Sequence, residues 1–480
     1  MANNRWREAA MLLRNPITTP KGNFGRPMRI GFVFPRPSLS FALLVVLMTV
    51  LVVAGGASRE SVAGQVLVRI AAFLVLVIQV LFGPRPVTTT DVKGPLLILA
   101  AVIALTSIQL VPLPPTLWRV LPGREAVEEI AGTGVWRSWS FVPGATVNAL
   151  VSLAVPVAVL VTATALSKDE QCWLPGLCLL AVTIEMLLGL VQFSGVAFDN
   201  PLINDTPGGI SGTFANRNHF ALFLALGCVI IPVWMFRDGR RLGWRGSVGL
   251  GLLLLFVLMI LASGSRAGLA AGGLAVLIAA VLSLRGLRSE LRNAPRWVLP
   301  GVMIVVGVII ASFLLASVAA GRAISVQRSL VVDIEQDLRS RALPTVWSMT
   351  SATFPAGNGV GAFDPMFRAS EPSALLKPSY FNQVHNDFVD VPLSSGLPGL
   401  LLLGAALTWW AVASVRAWRN RTMLPRLGSA ILLLIMLASA FDYPARTPIM
   451  MAMIVLAMIW LSNRHRHDGV SALPRSGQHL

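Results

Sequence analysis

The sequence has few charged residues and almost no cysteine for a chain of 480 residues. Charged residues make up 13% of the chain, whereas a soluble globular protein carries about a quarter. This shortage excludes an ordinary soluble enzyme. The three cysteines lie in or beside apolar segments, so no disulfide framework is predicted. The sequence also lacks the spacing of a zinc site, a P-loop, a G-x-S-x-G elbow and a dinucleotide-binding fingerprint.

Long apolar runs dominate the sequence instead. Hydrophobic residues make up 55% of the chain, and the mean hydropathy is +0.71. Many runs approach the roughly 20 residues with which an α-helix crosses the hydrocarbon layer of a bilayer. We therefore predict an all-α polytopic membrane protein with about 12 transmembrane helices, near residues 39–55, 63–83, 95–112, 147–166, 173–195, 218–236, 248–263, 267–284, 297–319, 388–415, 427–441 and 448–462.

The positive charges divide unequally between the two sides of this topology. The chain has a formal net charge of +17. With a cytoplasmic N-terminus, about two thirds of the lysines and arginines fall on inner segments, which hold the whole positive excess. The charge is then a topology signal, and nucleic-acid binding loses its main support. The predicted segments are a cytoplasmic basic tail (1–38), helices 1–9 (39–319), a large outer loop (320–387), helices 10–12 (388–462) and a cytoplasmic tail (463–480).

Two of these segments have more than one interpretation. The basic tail is expected to be a disordered topogenic flank in preference to a lipid-bound segment. In the large loop, Ser325–Trp347 has the apolar spacing of a helix lying along the membrane interface. Its acidic residues Asp333, Glu335 and Asp337 are expected to form a solvated face in preference to a Mg²⁺ or Ca²⁺ site.

Four polar clusters fall at the predicted outer rim, and their convergence on one side is the main functional signal. They are Gly212–His219, Ser263–Gly268, His385–Asp387 with the following Gly396–Gly399, and Asp442–Arg446. An arginine at a membrane rim more often reaches lipid phosphate than substrate. Together, however, Arg217 and Arg266 suit a lipid-linked diphosphate, because guanidinium groups form paired, charge-assisted hydrogen bonds with it.

His385 is the candidate general base. A histidine at a helix start can simply cap or pack, but neutral imidazole suits the removal of a proton from a sugar hydroxyl. Asn386 or Asp387 is expected to orient the ring. Within the spans, Arg69 and Glu185 are expected to pair with each other in a structural role.

Taken in order, the four clusters resemble the O-antigen ligase/polymerase family of bacterial membrane glycosyltransferases. Gly212–Asn218 resembles the family's G-x-F-x-N-x-N element, and Ser265–Ala267 resembles its S-R-[GA] turn. The family's large periplasmic loop ends in H-[NSQ]-x9-G-x-x-[GTY]. Here His385-Asn386 is followed, after nine residues, by Gly396–Gly399. Phe441–Pro444 resembles the family's last outer turn.

The resemblance, which spans roughly residues 180–450, implies a fold of the GT-C type with an outer cavity closed by the long loop. It implies a bacterial inner-membrane location, a periplasmic active site and a donor glycan on undecaprenyl diphosphate. Arg217 and Arg266 would hold the diphosphate, with loop arginines 322, 328, 339 and 341 as competitors, and His385 would activate the acceptor for an inverting transfer. Supporting roles would fall to Asn216, Asn218, Asn386, Gly396, Gly399, Asp442 and Arg446.

We expect no cofactor and no metal, because the first outer loop, 56–61, holds only one acid, Glu60, where metal-dependent oligosaccharyltransferases usually carry an acidic motif. The acceptor is either a lipid A-core sugar, for a ligase, or another lipid-linked glycan, for a polymerase of O-antigen or exopolysaccharide. The sequence does not decide whether the protein has partners in polysaccharide export or chain-length control. The alternatives are a protein O-oligosaccharyltransferase and a non-enzymatic transporter of lipid-linked glycan. Only Arg69 and Glu185 are charged within the spans, which favours a one-sided site over a transport path.

Overall fold

The computed structural model describes residues 37–463 with gaps. The residues outside the description are 1–36, 60, 87–91, 197–199, 204–208, 238–242, 292–294, 296, 298–299, 302–303, 305–333, 376–382, 421 and 464–480, and the side chains of 126, 130, 131, 285, 289, 291, 334–340 and 374 are also outside it. Both predicted cytoplasmic tails, apart from residues 37, 38 and 463, therefore lie outside the described residues, as does nearly all of the ninth predicted span.

Helices form almost all of the described chain, as the apolar runs predict. Seven helical segments are long and apolar enough to cross a membrane, and four shorter apolar helices accompany them in the described part. The apolar helices are α1 (Leu39–Ala54), α2 (Ala63–Phe82), α3 (Lys93–Ile108), α6 (Pro143–Ser152), α7 (Ala154–Thr164), α9 (Leu174–Phe193), α10 (Arg217–Met235), α11 (Gly243–Ala262), α12 (Arg266–Leu291), α15 (Asp387–Asn420), α16 (Met423–Ser439) and α17 (Pro448–Ser462). They correspond to eleven of the twelve predicted spans.

Small elements lie between these helices. The segment before α6 holds the antiparallel strands β1 (Pro112–Leu113) and β2 (Arg137–Ser138) and two short helices, α4 (Pro115–Trp118) and α5 (Glu125–Ala131). The short helix α8 (Lys168–Gln171) precedes α9. The large loop contains α13 (Ile334–Thr353) and α14 (Phe363–Ser370), followed by the 3₁₀ turn Ser373–Leu375; a second 3₁₀ turn, Pro444–Arg446, precedes α17.

α10 is the central helix of the bundle. Its side chains are buried from His219 to Val233, as expected for a helix that is apolar on all sides. It packs against α9, α11, α12 and α16. Small residues allow these close approaches: a Cβ on Gly268 of α12 would lie 2.3 Å from the Cβ of Ala221.

The connections between the helices meet at one end of the bundle, which we call the site end. Ala215 N donates to Gly56 O, Gly64 N to Leu202 O, and Ile449 N to Gly55 O. These hydrogen bonds join the segments before α2, α10 and α17. The helices that carry the predicted outer clusters end at the site end. The clusters are therefore close to one another.

Three predictions need correction. The fourth predicted span is two helices, α6 and α7, joined at Leu153. The outer segment between α3 and α6 contains a strand pair that the sequence did not predict. Arg69 and Glu185 do not pair: Arg69 donates to Asn148 Oδ1 and Ser152 Oγ on α6, at 2.5 and 2.9 Å, whereas Glu185 accepts from Thr213.

Candidate functional site

Asp442, between α16 and α17, is the hub of the site. Its carboxylate is 2% exposed and accepts hydrogen bonds on both oxygens. Asn216 Nδ2 and Asn218 Nδ2 donate to Oδ2 at 2.9 and 2.8 Å. Tyr443 N donates to Oδ1 at 3.1 Å. This set of donors stabilises the ionised form of a carboxylate that is removed from bulk water.

His385 faces the same carboxylate. Its Nδ1 lies 3.3 Å from Asp442 Oδ1, and its ring packs on Tyr443 with centroids 4.8 Å apart. The contact with the carboxylate requires the hydrogen on Nδ1, which makes Nε2 the basic nitrogen. The backbone of His385 has φ +57°, a left-handed conformation that non-glycine residues rarely adopt and that often occurs at functional sites.

The structure thus gives the orienting role to a residue other than the two expected. Asn386 caps α15, because its Oδ1 accepts from Phe388 N and Val389 N, and its Nδ2 donates to Ala440 O. Asp387 accepts from Ser439 Oγ at 2.7 Å. The expectation that Asn386 or Asp387 orients His385 is therefore wrong, and Asp442 takes that place.

Arg217 and Arg266 are the first residues of two neighbouring helices. Asn216 caps α10 by accepting from Asn218 N at 2.8 Å. Asn218 Oδ1 in turn accepts from Ser265 Oγ at 2.7 Å, which ties the first turn of α10 to the residue before α12. Both arginines are half-buried. The helix N-termini at these two positions add positive potential to that of the guanidinium groups.

Side chains of α9 form hydrogen bonds with the first polar cluster and the residue before it. Glu185, fully buried, accepts from Thr213 N at 2.9 Å and from Thr213 Oγ1 at 2.5 Å. Gln192 Oε1 accepts from the backbone N–H groups of Ser211 and Gly212. Both side chains bind the turn before α10, so the buried carboxylate has a structural role at the base of the site.

Arg446 forms an ionic network on the other side of His385. It contacts Asp387 Oδ1 at 3.4 Å, and also Asp390 Oδ2 and Gln383 Oε1. Burial lowers the pKa of this guanidinium, but the two carboxylates outweigh burial and raise the pKa above its usual value. The network joins residues on both sides of His385 to the last outer turn.

Gly396 breaks α15 two turns after its start. Its φ of 56° and ψ of −144° are not helical, and a Cβ there would lie 2.0 Å from Pro355 O. The segment 355–359 fills the break: Leu397 N donates to Pro355 O, and Asn358 N and Gly359 N donate to Leu393 O and Ser394 O. The glycine therefore lets the large loop dock against α15. At Gly399 a Cβ would lie 2.5 Å from the Cβ of Ser395. The absence of a side chain at Gly399 therefore leaves room for Ser395 in the helical turn after the break.

Two aromatic residues of the site lie in the predicted clusters, but sequence reasoning gave them no role. His219, 2% exposed, has its Nε2 3.8 Å from Asp442 Oδ1. Tyr443 packs edge-on against both His219 and His385. Their signal was available, because each adjoins a predicted site residue and Tyr443 is one of only two tyrosines.

Several competing candidates lie outside the description. Arg322, Arg328 and Asp333 are not among the described residues, and the side chains of Glu335, Asp337 and Arg339 are not described. Arg341 is exposed on α13. Among the described residues, no group of three histidine, cysteine or acidic side chains could hold a metal ion.

Comparison with known families identifies part of this chain. The family model described as O-antigen ligase matches residues 250–404. The resemblance noted in the sequence is thus confirmed. No curated protein matches the chain in sequence.

The O-antigen ligase match covers part of the site. Arg266, His385, Asn386, Gly396 and Gly399 lie inside it, whereas the residues from Asn216 to Asn218 and from Asp442 to Arg446 lie outside it. The match and the apolar helices together support a membrane protein of the glycan ligase or polymerase class. The hydrogen bonds of Asp442 connect the family domain to both flanking regions.

Proposed function

We propose that the protein is an inner-membrane glycosyltransferase that ligates or polymerises oligosaccharide carried on undecaprenyl diphosphate, at the periplasmic face. The observation that carries this proposal is the contact of His385 with the buried carboxylate of Asp442, at the end of the bundle where Arg217 and Arg266 begin neighbouring helices. The family match supports the reaction class. The distribution of positive charge supports the orientation.

His385 would act as the general base. Its Nε2 accepts the proton of the acceptor hydroxyl while the oxygen attacks the anomeric carbon of the donor sugar. The bond from that carbon to the diphosphate oxygen breaks, and its electrons leave with undecaprenyl diphosphate. A single displacement of this kind inverts the anomeric configuration. Asp442 holds the ring and stabilises the imidazolium that forms.

Arg217 and Arg266 would bind the donor diphosphate. Negative charge grows on the diphosphate as the sugar leaves, and guanidinium groups at two helix N-termini stabilise it. These groups supply the positive charge that a divalent cation supplies in other glycosyltransferases, so we expect a reaction that is independent of metal. Asn216 and Asn218 would support the two arginines through the cap of α10 and the bond to Ser265.

The test is complementation of a null strain with the wild-type gene, His385→Ala or the control His465→Ala. His465 lies in the predicted cytoplasmic tail, so its variant should restore surface polysaccharide fully. The His385 variant should be expressed at the wild-type level and should lower product formation by about 10²-fold or more. Gels measure the surface polysaccharide, and a separate assay measures the glycan that is still attached to the lipid carrier.

The accumulating species identifies the reaction. Single repeats attached to their acceptor, without long chains, would indicate a polymerase, and long chains retained on the lipid carrier would indicate a ligase. Transfer of glycan to a protein serine or threonine would indicate an O-oligosaccharyltransferase. Full activity of His385→Ala would contradict the assignment of the base and favour the transporter alternative.

A further inference from the structure

The outer segment between α3 and α6 is a folded unit that begins at the end of α3. β1 starts four residues after Ile108 and pairs with β2, with Leu113 opposite Arg137. Inside the unit, Arg124 is 1% exposed and donates to Trp139 O at 2.6 Å. Ser140 N donates to Gln109 O at 2.9 Å, which joins the unit to the end of α3.

Aromatic rings surround the buried guanidinium. It lies 3.6 Å from the centroid of the Phe141 ring and 5.6 Å from that of Trp118. Burial lowers the pKa of Arg124 to about 10. Trp118 Nε1 donates to Ser138 O at 3.0 Å, which joins α4 to β2. The unit is therefore held by its own side chains and does not depend on the spans for its shape.

Four large apolar side chains are exposed on this unit, beside the exposed polar residues Thr116, Arg119, Glu125 and Glu129. Val120 is 78% exposed, Trp136 63%, Leu117 57% and Val135 54%. None of the four lies in a membrane-spanning helix, so lipid around the spans does not account for them. Exposed apolar side chains concentrated in one small unit indicate a surface that meets another apolar phase.

The neighbours of these residues point to the bilayer. Ile108 and Val111, each 50% exposed, continue the apolar surface down to the lipid-facing end of α3. Arg119 and Arg137 lie beside Val135 around a shallow depression. Tryptophan, aliphatic side chains and arginine at the end of a span are typical of the membrane interface, where the headgroups meet the acyl chains.

We propose that residues 111–138 dock on the outer leaflet of the bilayer, with Leu117, Val120, Val135 and Trp136 in the interface. This docking does not rest on the proposed function. It also positions the large loop, because Phe141 N donates to Asn358 O at 2.9 Å and Trp139 Nε1 donates to Ala356 O at 3.1 Å. The membrane surface thereby supports the segment that fills the break in α15 at Gly396.

The test places an environment-sensitive fluorophore at single positions of the full chain. In a Cys172→Ser background, the other two cysteines are buried, so cysteine introduced at Val120, Trp136 or Glu129 can be labelled alone with a nitrobenzoxadiazole dye. Glu129, exposed on α5, is the matched control. The labelled proteins are reconstituted in nanodiscs of phosphatidylethanolamine and phosphatidylglycerol, with and without lipids that carry a nitroxide quencher near the headgroup.

At Val120 and Trp136 the dye should emit at shorter wavelength than at Glu129 and should be quenched at least twofold more strongly. Val120 is so exposed that its substitution removes little packing, which keeps the result interpretable if Trp136→Cys lowers stability. An aqueous emission spectrum with control-level quenching at Val120 overturns the proposal. The measurement needs no catalytic activity, so it can succeed or fail separately from the glycosyltransferase assignment.

Discussion

Asp442 shows how one side chain gathers the catalytic candidates. It contacts residues from the start of α10 and from the end of the large loop, and its own chain neighbour Tyr443 packs on the histidine that it orients. The side chain of Asp442 is 3% exposed, whereas that of His385 is 13% exposed. In the proposed mechanism the acid therefore acts through His385 rather than on substrate, as a positioning residue.

Asp442→Asn should lower the transfer rate per folded molecule by about 10²-fold or more, because the amide is neutral and cannot stabilise the imidazolium. Its amide group also faces donors of Asn216, Asn218 or Tyr443, so a stability cost of about 1–3 kcal/mol is expected in addition. The control is Glu185→Gln, a second buried carboxylate, which accepts only from Thr213. This change leaves a mismatched donor and should cost about 1–3 kcal/mol of stability. Transfer assays and thermal unfolding of the two purified proteins separate the effects. If the two variants lost the same transfer rate per folded molecule, the distinction between the positioning carboxylate of Asp442 and the structural carboxylate of Glu185 would be contradicted.

The sequence predicted most of these residues but not their contacts. The motif spacing singled out His385, Arg217, Arg266 and Asp442, because glycine, asparagine and histidine are unusual at the rim of an apolar helix. It could not predict which acid faces His385. That choice depends on how α15, α16 and α10 pack, and Asn216 and Asp442 are 226 residues apart.

Among the helices, periodicity and charge predicted where most of the described spans begin and end. The breaks were harder to predict. Gly396 lies inside the predicted span 388–415, for which the sequence predicts one uninterrupted helix. Only the docked segment 355–359 explains the break, and that segment is more than thirty residues away in the chain.

Gly396→Ala tests this break. Alanine at φ 56° is strained by about 1–3 kcal/mol, and its Cβ would meet Pro355 O. The apparent melting temperature and the activity should both fall. Gly404→Ala is the matched control, because it lies in the same helix with no atom within 4 Å of the added Cβ. Thermal unfolding in detergent checks both variants, and a wild-type melting temperature for Gly396→Ala would contradict the prediction.

Gly268→Ala tests the contact of α12 with α10. The added Cβ would lie 2.3 Å from that of Ala221, so the helices must separate, at a cost of about 1–3 kcal/mol. The separation should also weaken the bond from Ser265 to Asn218 and lower the affinity for the donor. On the same helix, Gly273→Ala meets no atom within 4 Å and should keep wild-type stability. Donor titrations and thermal unfolding report the two effects; unchanged donor affinity in Gly268→Ala would argue against the link.

At the scale of the whole molecule, the unequal distribution of basic residues predicts the orientation in the membrane. Cys172, exposed in the turn before α9, then faces the cytoplasm, whereas Cys178 and Cys228 are buried. The exposed Thr133 lies in the outer segment between α3 and α6. These positions allow the orientation to be measured with one native and one introduced thiol.

A membrane-impermeant maleimide should not label Cys172 in intact spheroplasts and should label it once the membrane is opened. Thr133→Cys in a Cys172→Ser background should be labelled in intact spheroplasts. The two results together check that the reagent is active and that the membrane is closed. The reverse pattern would place Asp442 and His385 on the cytoplasmic side and would refute the periplasmic site.

The hub formed by Asp442 has a consequence for biosynthesis. The ribosome must translate past residue 442, and the turn that carries Asp442 must pack against the first turn of α10, before the carboxylate can contact His385. Arg217, Arg266 and His385 all precede it in the chain. If the proposed mechanism holds, a nascent chain is inactive until the residues around Asp442 have been made and packed against α10.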